Sequence, residues 1–163
     1  MTRNAVYVSF DPDDEQLFAS PREHRRKSIT SCRSALNGYQ RGKCFYCDAA
    51  LILDGPALST DVDHFFPHVL KRVGIGHPLD GVWNLVLACT ACNRGDKGKF
   101  ARLPTTRLLT KLAVRNEYLI SSHHPLRETL MHQTGAYEST RRDFLQTTYQ
   151  AALKVLIHNW EPS

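Results

Sequence analysis

Apolar positions in the first quarter of the chain predict a short strand followed by a helix. The run 5–10 is strand-like and leads into an acidic turn over 11–14. From residue 20 onward the apolar residues recur at spacings of three, four and three, which predicts one helix with a single buried face. Its apolar stripe consists of Ile29, Cys32, Leu36 and Tyr39. Ser20, followed by Pro21 and Glu23, carries a capping signal for the helix start, and Gly42 ends it.

Helical spacing returns after residue 105 and predicts three further helices. The first carries apolar residues at 108, 109, 112 and 113, and the second follows Pro125 and stops at Gly135. The third is predicted over 138–160, with one apolar face formed by Leu145, Tyr149, Ala152, Leu156 and Trp160. These helices are interpreted as scaffold.

The segment between these helical parts has short apolar runs, cysteine pairs and glycines, which favour a small ββα unit over a long regular sheet. A glycine- and proline-containing stretch, 74–81, predicts an irregular loop within it. The predicted fold class is therefore α+β. We expect an arm and basic helix over 1–42, a central unit over 43–105 and a helical extension over 106–163, packed as one body.

Positive charge gives the first indication of a partner. The chain has 163 residues, a formal net charge of +5 and 21 lysines and arginines. Basic residues neutralise phosphates, so this balance favours a nucleic-acid partner. Much of the excess precedes the first cysteine pair, at Arg22, Arg25, Arg26, Lys27, Arg33, Arg41 and Lys43. A solvated helix face explains the same run equally well.

The apolar runs are too short to predict a membrane span, and the first residues lack the apolar core of a signal peptide. A cytoplasmic protein without a membrane partner is expected. The five cysteines are an odd number, which in a reducing compartment favours metal binding over a disulfide framework. Cys32, isolated on the predicted helix, is interpreted as a core residue.

The other four cysteines form two Cys-x-x-Cys pairs, Cys44 with Cys47 and Cys89 with Cys92. Four thiolates on two such turns can enclose a tetrahedral Zn²⁺, and a closed site of this kind is structural rather than catalytic. A redox role is the alternative, but the surrounding βαβ pattern of redox proteins is missing. The 41 residues between the pairs exceed the length of a simple zinc ribbon, so the zinc is expected to enclose a larger unit.

Three motifs lie within or beside this frame. The segment 61–67 reads DVDHFFP, Asn84 begins NLVL twenty residues after His64, and CNRGDKGK spans 92–99. Together they resemble the HNH endonuclease family, whose ββα-metal unit has Asp-His, then Asn-Leu, then Cys-x-x-Cys-Asn or Cys-x-x-Cys-His with a lysine shortly after. The resemblance covers about 43–99. Lys97 departs from the commonest pattern, because three residues rather than two separate it from Asn93.

The resemblance implies a metal-dependent endonuclease that hydrolyses DNA phosphodiesters, with RNA as an alternative substrate. His64 is the expected general base, because imidazole is largely neutral yet basic near neutral pH. By resemblance, Asp63 and Asn93 are ligands of a catalytic Mg²⁺, or of another divalent ion such as Mn²⁺ or Ni²⁺. Asn84 is expected to hold the loop that keeps the base in place, although an ordinary turn asparagine would have the same sequence context.

Basic residues near the motif are candidates for phosphate contacts: Arg94, Lys97 and Lys99, with Arg25 and Arg26 from the basic helix. Exposed arginines and lysines without any phosphate contact would give the same sequence pattern. His68 and Asp61 are further candidates for contact with metal or substrate, and His77 is a further candidate near the site.

The competing hypothesis is a non-catalytic zinc module that binds nucleic acid or a protein, in which His64 and Asp63 have no chemical role. Compact HNH proteins of bacteria and their viruses often serve in defence, restriction or packaging. The resemblance favours bacterial defence, where another protein of the system would be the expected partner.

Overall fold

The computed structural model describes residues 7–11, 16–20, 27–28, 30–54, 60–75 and 77–163, with side chains from Arg33 onward. Three short strands near the N-terminus form one antiparallel sheet in chain order. They are β1 (Tyr7–Asp11), β2 (Gln16–Ser20) and β3 (Lys27–Ser28), and helix α1 (Thr30–Gln40) follows. The predicted strand over 5–10 is thus confirmed for its described residues.

The predicted helix start at Ser20 is wrong, because Ser20 ends β2 and pairs with Tyr7. The helix begins ten residues later, at Thr30. Strand pairing is a tertiary effect that outweighs a local capping signal. Residues 12–14 of the expected turn and 21–26 after the expected cap lie outside the described residues. Of the predicted stripe, Leu36 is buried and Tyr39 packs on the core, while Ile29 and the Cys32 side chain lie outside the description.

The central segment contains two antiparallel strands followed by a short helix. Strand β4 (Thr60–His64) pairs with β5 (Leu85–Cys89), with Thr60 opposite Cys89 and His64 opposite Leu85. Helix α2 (Thr90–Arg94) starts directly after β5. The order strand, strand, helix agrees with the α+β prediction. Because Leu85 to Ala88 of β5 are fully buried, this strand is the centre around which the other elements pack.

Two turns of 3-10 helix, His68–Val73 and Val82–Asn84, lie in the connection between β4 and β5. Gly74 ends the first of them at φ 79°, a left-handed conformation that glycine adopts without strain. Apart from residue 76, which is not described, the predicted irregular loop over 74–81 is confirmed. This connection supplies several of the residues that surround His64.

The C-terminal part contains helices α3 (Thr106–Ser121), α4 (Arg127–Thr134) and α5 (Glu138–Leu153). Two short strands, β6 (Leu103–Pro104) and β7 (Asn159–Trp160), pair in parallel. The three predicted helices are present, and α4 stops before Gly135 as expected.

The predicted helix over 138–160 is too long, because α5 ends at Leu153. Trp160 continues the apolar period of the helix, but it belongs to β7 and packs edge-on against Tyr46 at a ring-centroid distance of 5.1 Å. The apolar spacing therefore extends beyond the end of the helix, because its last apolar residue belongs to the final strand. This strand brings the C-terminus against the first cysteine pair.

Two buried polar side chains attach the flanking helices to the central strands. Gln40 of α1 accepts a hydrogen bond from the Leu87 amide at 2.9 Å and donates one to the Leu87 carbonyl at 2.7 Å. Arg115 of α3 donates to the carbonyl oxygens of Leu85 and Trp83 at 2.8 and 3.1 Å. Both side chains bond buried backbone groups of the central segment, so β5 is fixed on two sides.

Candidate functional site

The two cysteine pairs lie together as a tetrahedral metal site requires. All four Sγ atoms lie within 4.8 Å of one another, and the sulfurs of Cys47 and Cys89 are 3.8 Å apart. Zinc–sulfur bonds of about 2.3 Å place the sulfurs of a tetrahedral site about 3.8 Å apart. The cluster could therefore hold a metal ion such as Zn²⁺, and the ion leaves no coordination position for water when all four thiolates bind.

Backbone hydrogen bonds hold the cysteine turns on the central strands. The Phe45 amide donates to the Leu87 carbonyl of β5 at 2.9 Å. The Cys89 amide donates to the Cys44 sulfur at 3.3 Å, and the Cys92 amide donates to the Cys89 sulfur at 3.4 Å. Burial raises the pKa of the Cys44 thiol to about 11 and also raises the pKa of the Cys92 thiol. A bound cation would offset this cost, since metals bind the thiolate form.

Asn84 ties together the loop that follows β4. Its side chain is fully buried, and its Oδ1 accepts a hydrogen bond from the Phe66 amide at 2.7 Å. Its Nδ2 donates to the carbonyl oxygens of Phe66 at 3.0 Å and Leu79 at 2.8 Å. These contacts match the expected loop-holding task, because they join the chain after His64 to the loop before β5.

Replacing Asn84 by alanine is expected to destabilise the protein by roughly 2 to 4 kcal/mol, because three buried backbone groups lose their partner. The change should appear as a lower midpoint of urea unfolding in the metal-loaded protein, with an unchanged m-value. A loss below about 1 kcal/mol would show that the loop does not depend on this amide.

His64 ends β4 with its side chain 10% exposed and bonded to an aspartate that sequence reasoning missed. Its Nε2 lies 3.0 Å from Asp80 Oδ1, while Lys71 donates to the other oxygen of the same carboxylate. Partial burial would raise the pKa of Asp80, but hydrogen bonds from His64 and Lys71 outweigh it and hold this pKa at about 2. Asp80 is thus an ionised partner for the imidazole. It lies in the irregular loop, where no spacing rule indicates it.

Asp63 points away from His64, as strand alternation predicts, but two buried side chains already bind its carboxylate. The Tyr46 hydroxyl donates to its Oδ2 at 2.6 Å, and Lys99 Nζ lies 3.1 Å from the same oxygen. Lys99 also donates to the His64 carbonyl at 2.7 Å and is fully buried. Burial lowers the pKa of Lys99, and the negative charge of Asp63 offsets this lowering only in part. The predicted phosphate contact of Lys99 is therefore wrong, because its ammonium is enclosed.

Asp61 shares a strand face with Asp63 and contacts helix α2 instead. Asn93 Nδ2 donates to Asp61 Oδ2 at 2.9 Å, and Arg94 bonds both carboxylate oxygens, through Nε at 3.0 Å and Nη2 at 3.2 Å. The hydrogen bond of Asn93 thus joins it to Asp61 rather than to Asp63. The expected ligand pair, Asp63 and Asn93, does not fit a divalent ion in this arrangement, because an enclosed ammonium is bound to Asp63.

The remaining predicted residues are spread around this centre. The centroid of the His68 ring lies 5.6 Å from that of His64. Burial lowers the pKa of His68, and the positive charge of Lys71 lowers it further. His77 instead packs on Phe144, with ring centroids 4.5 Å apart. Lys97 is exposed. Arg25 and Arg26 lie outside the described residues.

The chain matches no protein-family model, no curated protein and no solved structure at a significant level. None of the helices that the structure describes combines the length and apolar character needed to cross a membrane.

Proposed function

We propose that this protein is an HNH-type endonuclease that hydrolyses DNA phosphodiester bonds, with His64 as the general base. The observation that carries the proposal is the position of His64. It ends β4, its ring is bonded to the ionised Asp80, and the loop after it is held by Asn84. A base requires both a partner that orients the ring and a rigid backbone, and these contacts supply them.

In the proposed reaction, His64 takes a proton from a water molecule as the water oxygen attacks the phosphorus. The bond from phosphorus to the 3′ oxygen breaks, and the departing oxygen takes a proton from a second water molecule, which gives a 3′ hydroxyl and a 5′ phosphate. The ionised Asp80 favours the positively charged imidazolium that forms in this step. A divalent cation would supply positive charge beside the phosphorane.

The surface next to this site offers groups that can meet DNA phosphates. The Arg94 side chain is 58% exposed, and Lys97 is exposed in the following turn. One arginine can bind two phosphate oxygens at once, whereas a lysine attracts a phosphate as a point charge. Their position at the end of α2 and in the turn that follows it, with Arg94 bonded to Asp61 of β4, supports binding of the DNA backbone near the proposed base.

The test is nicking of supercoiled plasmid DNA by the zinc-loaded protein with Mg²⁺, Mn²⁺ or Ni²⁺, and with a chelator in place of the ion. The proposal predicts conversion to open circles with at least one divalent ion and none with the chelator. Intact plasmid under every ion would contradict it.

Asp80→Asn is expected to slow cleavage by about 10- to 100-fold, the equivalent of a lost hydrogen bond to a charged group. DNA affinity should stay unchanged, since Asp80 acts through His64 and not on DNA. The measurement is the cleavage rate at saturating DNA together with the dissociation constant. Asp143→Asn, at an exposed position of α5, serves as the matched control. Equal rates for the two variants would remove Asp80 from the proposed site.

A non-catalytic zinc module that binds nucleic acid or a protein is the second candidate. One observation favours it. The two aspartates that share a face of β4 are both paired with cations, Asp63 with Lys99 and Asp61 with Arg94. This candidate predicts DNA retardation on a gel without cleavage under any ion. The nicking assay therefore separates the two functions.

A further inference from the structure

Phe100 is an exposed aromatic residue in the turn that follows α2. It is 55% exposed, whereas Lys99 before it and Leu103 after it are fully buried. Removing an aromatic ring from water is favourable, and a ring left in water gives the fold little of that gain. The stability of the fold therefore does not explain why an aromatic residue occupies this position.

The backbone holds Phe100 in a conformation that few residues other than glycine adopt. Its φ is 48°, in the left-handed region, where the Cβ atom crowds the following carbonyl oxygen. Two hydrogen bonds fix it there. Its amide donates to the Asn93 carbonyl at 2.9 Å, and its carbonyl accepts from Lys99 Nζ at 3.3 Å. Glycine would fit this turn with less strain, and side chains held in strained backbone are concentrated at binding sites.

One buried ammonium connects Phe100 with the proposed base. Lys99 Nζ donates to the His64 carbonyl at 2.7 Å as well as to the Phe100 carbonyl. Lys99 is also paired with Asp63 at 3.1 Å in the interior, so this connection is firm. Successive bases of a DNA strand follow one another at about 3.4 Å. A strand whose phosphate lies at His64 therefore has nucleotides near the turn that carries Phe100.

Positive charge lies on both sides of Phe100 in the sequence, at the exposed residues Lys97 and Arg102. The Arg102 guanidinium bonds the carbonyl oxygens of Lys97 and Lys99 at 3.2 and 3.4 Å, and these neutral partners leave its charge in place. Asp96 is the one acid within 94–102. An exposed aromatic ring among cations is typical of surfaces that bind unpaired nucleic acid, where cations attract phosphates and rings stack on bases.

The same turn does not resemble a surface for an apolar protein partner. Within 94–102, Phe100 is the one large apolar residue. The core of a protein interface is depleted in charged residues, whereas this turn is rich in them. The surroundings of Phe100 therefore favour a polyanion over an apolar protein face.

We propose that Phe100 stacks on a base of the bound DNA strand beside the cleaved phosphate, and that the preferred substrate has an unpaired base there. This proposal rests on the nuclease function proposed above. In an intact duplex, neighbouring base pairs cover both faces of each base, so a ring reaches a base only after the base is unstacked. A mismatch or a single strand reduces that cost. Phe100 thus selects the structure of the DNA rather than its sequence, since every base offers an aromatic face.

The test measures binding of the zinc-loaded protein to a fluorescently labelled oligothymidine strand by anisotropy, without an added divalent ion so that no cleavage occurs. Phe100→Ala is expected to weaken binding by about 10- to 100-fold, the usual contribution of stacking on one base. Phe100→Tyr should bind within about twofold of wild type, whereas Phe100→Leu, which has no aromatic face, should bind as weakly as Phe100→Ala. The affinity for a fully paired duplex should change by less than about twofold in all three variants.

Tyr137→Ala is the matched control, since Tyr137 is a 75% exposed aromatic residue that precedes α5. It should bind the strand as the wild type does. Phe100→Gly tests whether a loss of binding reflects a damaged turn, because glycine accepts the left-handed conformation. It should bind as weakly as Phe100→Ala while its unfolding midpoint is no lower than that of Phe100→Ala.

Four results would overturn the proposal: unchanged single-strand affinity in Phe100→Ala, wild-type affinity in Phe100→Leu, an equal loss of duplex affinity, or no binding of the single strand by the wild type. The plasmid-nicking assay separates these results from failure of the proposed function. Nicking by a protein whose single-strand affinity does not depend on Phe100 would keep the nuclease and reject the stacking. Binding that requires the aromatic ring, without nicking under any ion, would keep the stacking and reject the nuclease.

Discussion

Cys89→Ser is expected to release the metal and unfold the central segment. The four sulfurs lie within 4.8 Å of one another, and Cys89 is also the residue from which α2 starts. Structural zinc contributes an apparent free energy of about 10 to 16 kcal/mol to small zinc domains. The whole stability of a domain is about 5 to 15 kcal/mol, so loss of the ion removes most or all of it.

The measurement combines zinc content by mass spectrometry with thermal unfolding followed by circular dichroism. The variant should contain no stoichiometric zinc and lose its cooperative transition, and a chelator should do the same to the wild type. Ala91→Ser introduces the same hydroxyl at an exposed position between the two cysteines and should leave both readings unchanged. A folded Cys89→Ser protein with a full zinc content would refute the structural role of the cluster.

His64→Ala is expected to lower the cleavage rate by roughly 10²- to 10⁴-fold, the contribution typical of a positioned general base. The fold should survive, because the His64 backbone rather than its ring accepts the hydrogen bond from the buried Lys99. Single-turnover cleavage of a labelled duplex gives the rate, and zinc content with the unfolding midpoint checks the fold.

His158→Ala is the matched control, since His158 is an exposed histidine outside the central segment. It should cleave at the wild-type rate. If His64→Ala and His158→Ala cleave equally fast, the base must be another group, and His68, whose ring is 5.6 Å from that of His64, becomes the first candidate.

Patterns that depend on short-range spacing were predicted well from the sequence. The convergence of the four cysteines agrees with two turns of identical spacing, and the helical period after residue 105 gave three helices, of which only the last was predicted to extend past its end at Leu153. The loop-holding contacts of Asn84 also agree with what the family resemblance implies. Local geometry decides the helices, whereas the meeting of the cysteine pairs and the contacts of Asn84 join residues far apart in the chain and were indicated by residue type and by the family resemblance.

The errors arose where distant segments meet. Ser20 of β2 pairs with Tyr7 of β1, and Trp160 of β7 pairs with Pro104 of β6. Strand pairing therefore outweighed two helical patterns in the sequence. Lys99 has the sequence context of an exposed residue, but the turn that returns the chain from α2 carries it beneath β4 to Asp63. No rule of sequence spacing predicts the contact of Lys99 with Asp63.

Asp80 shows the same limit within the site. Its partner His64 is sixteen residues away across an irregular loop, and only the folded chain brings the two together. Residue type and the family resemblance predicted the histidine as a base, whereas the contact with Asp80 is seen only in the folded chain. The same holds for Asp61, whose distinction from Asp63 depends on which cation covers each carboxylate.

The most direct test of His64 as the base is chemical rescue of His64→Gly with imidazole in the plasmid-nicking assay. We expect an active wild type, an inactive zinc-loaded variant, and nicking that returns as imidazole is added, with no effect of imidazole on the wild type. A His64→Gly protein that nicks at the wild-type rate without imidazole would contradict it.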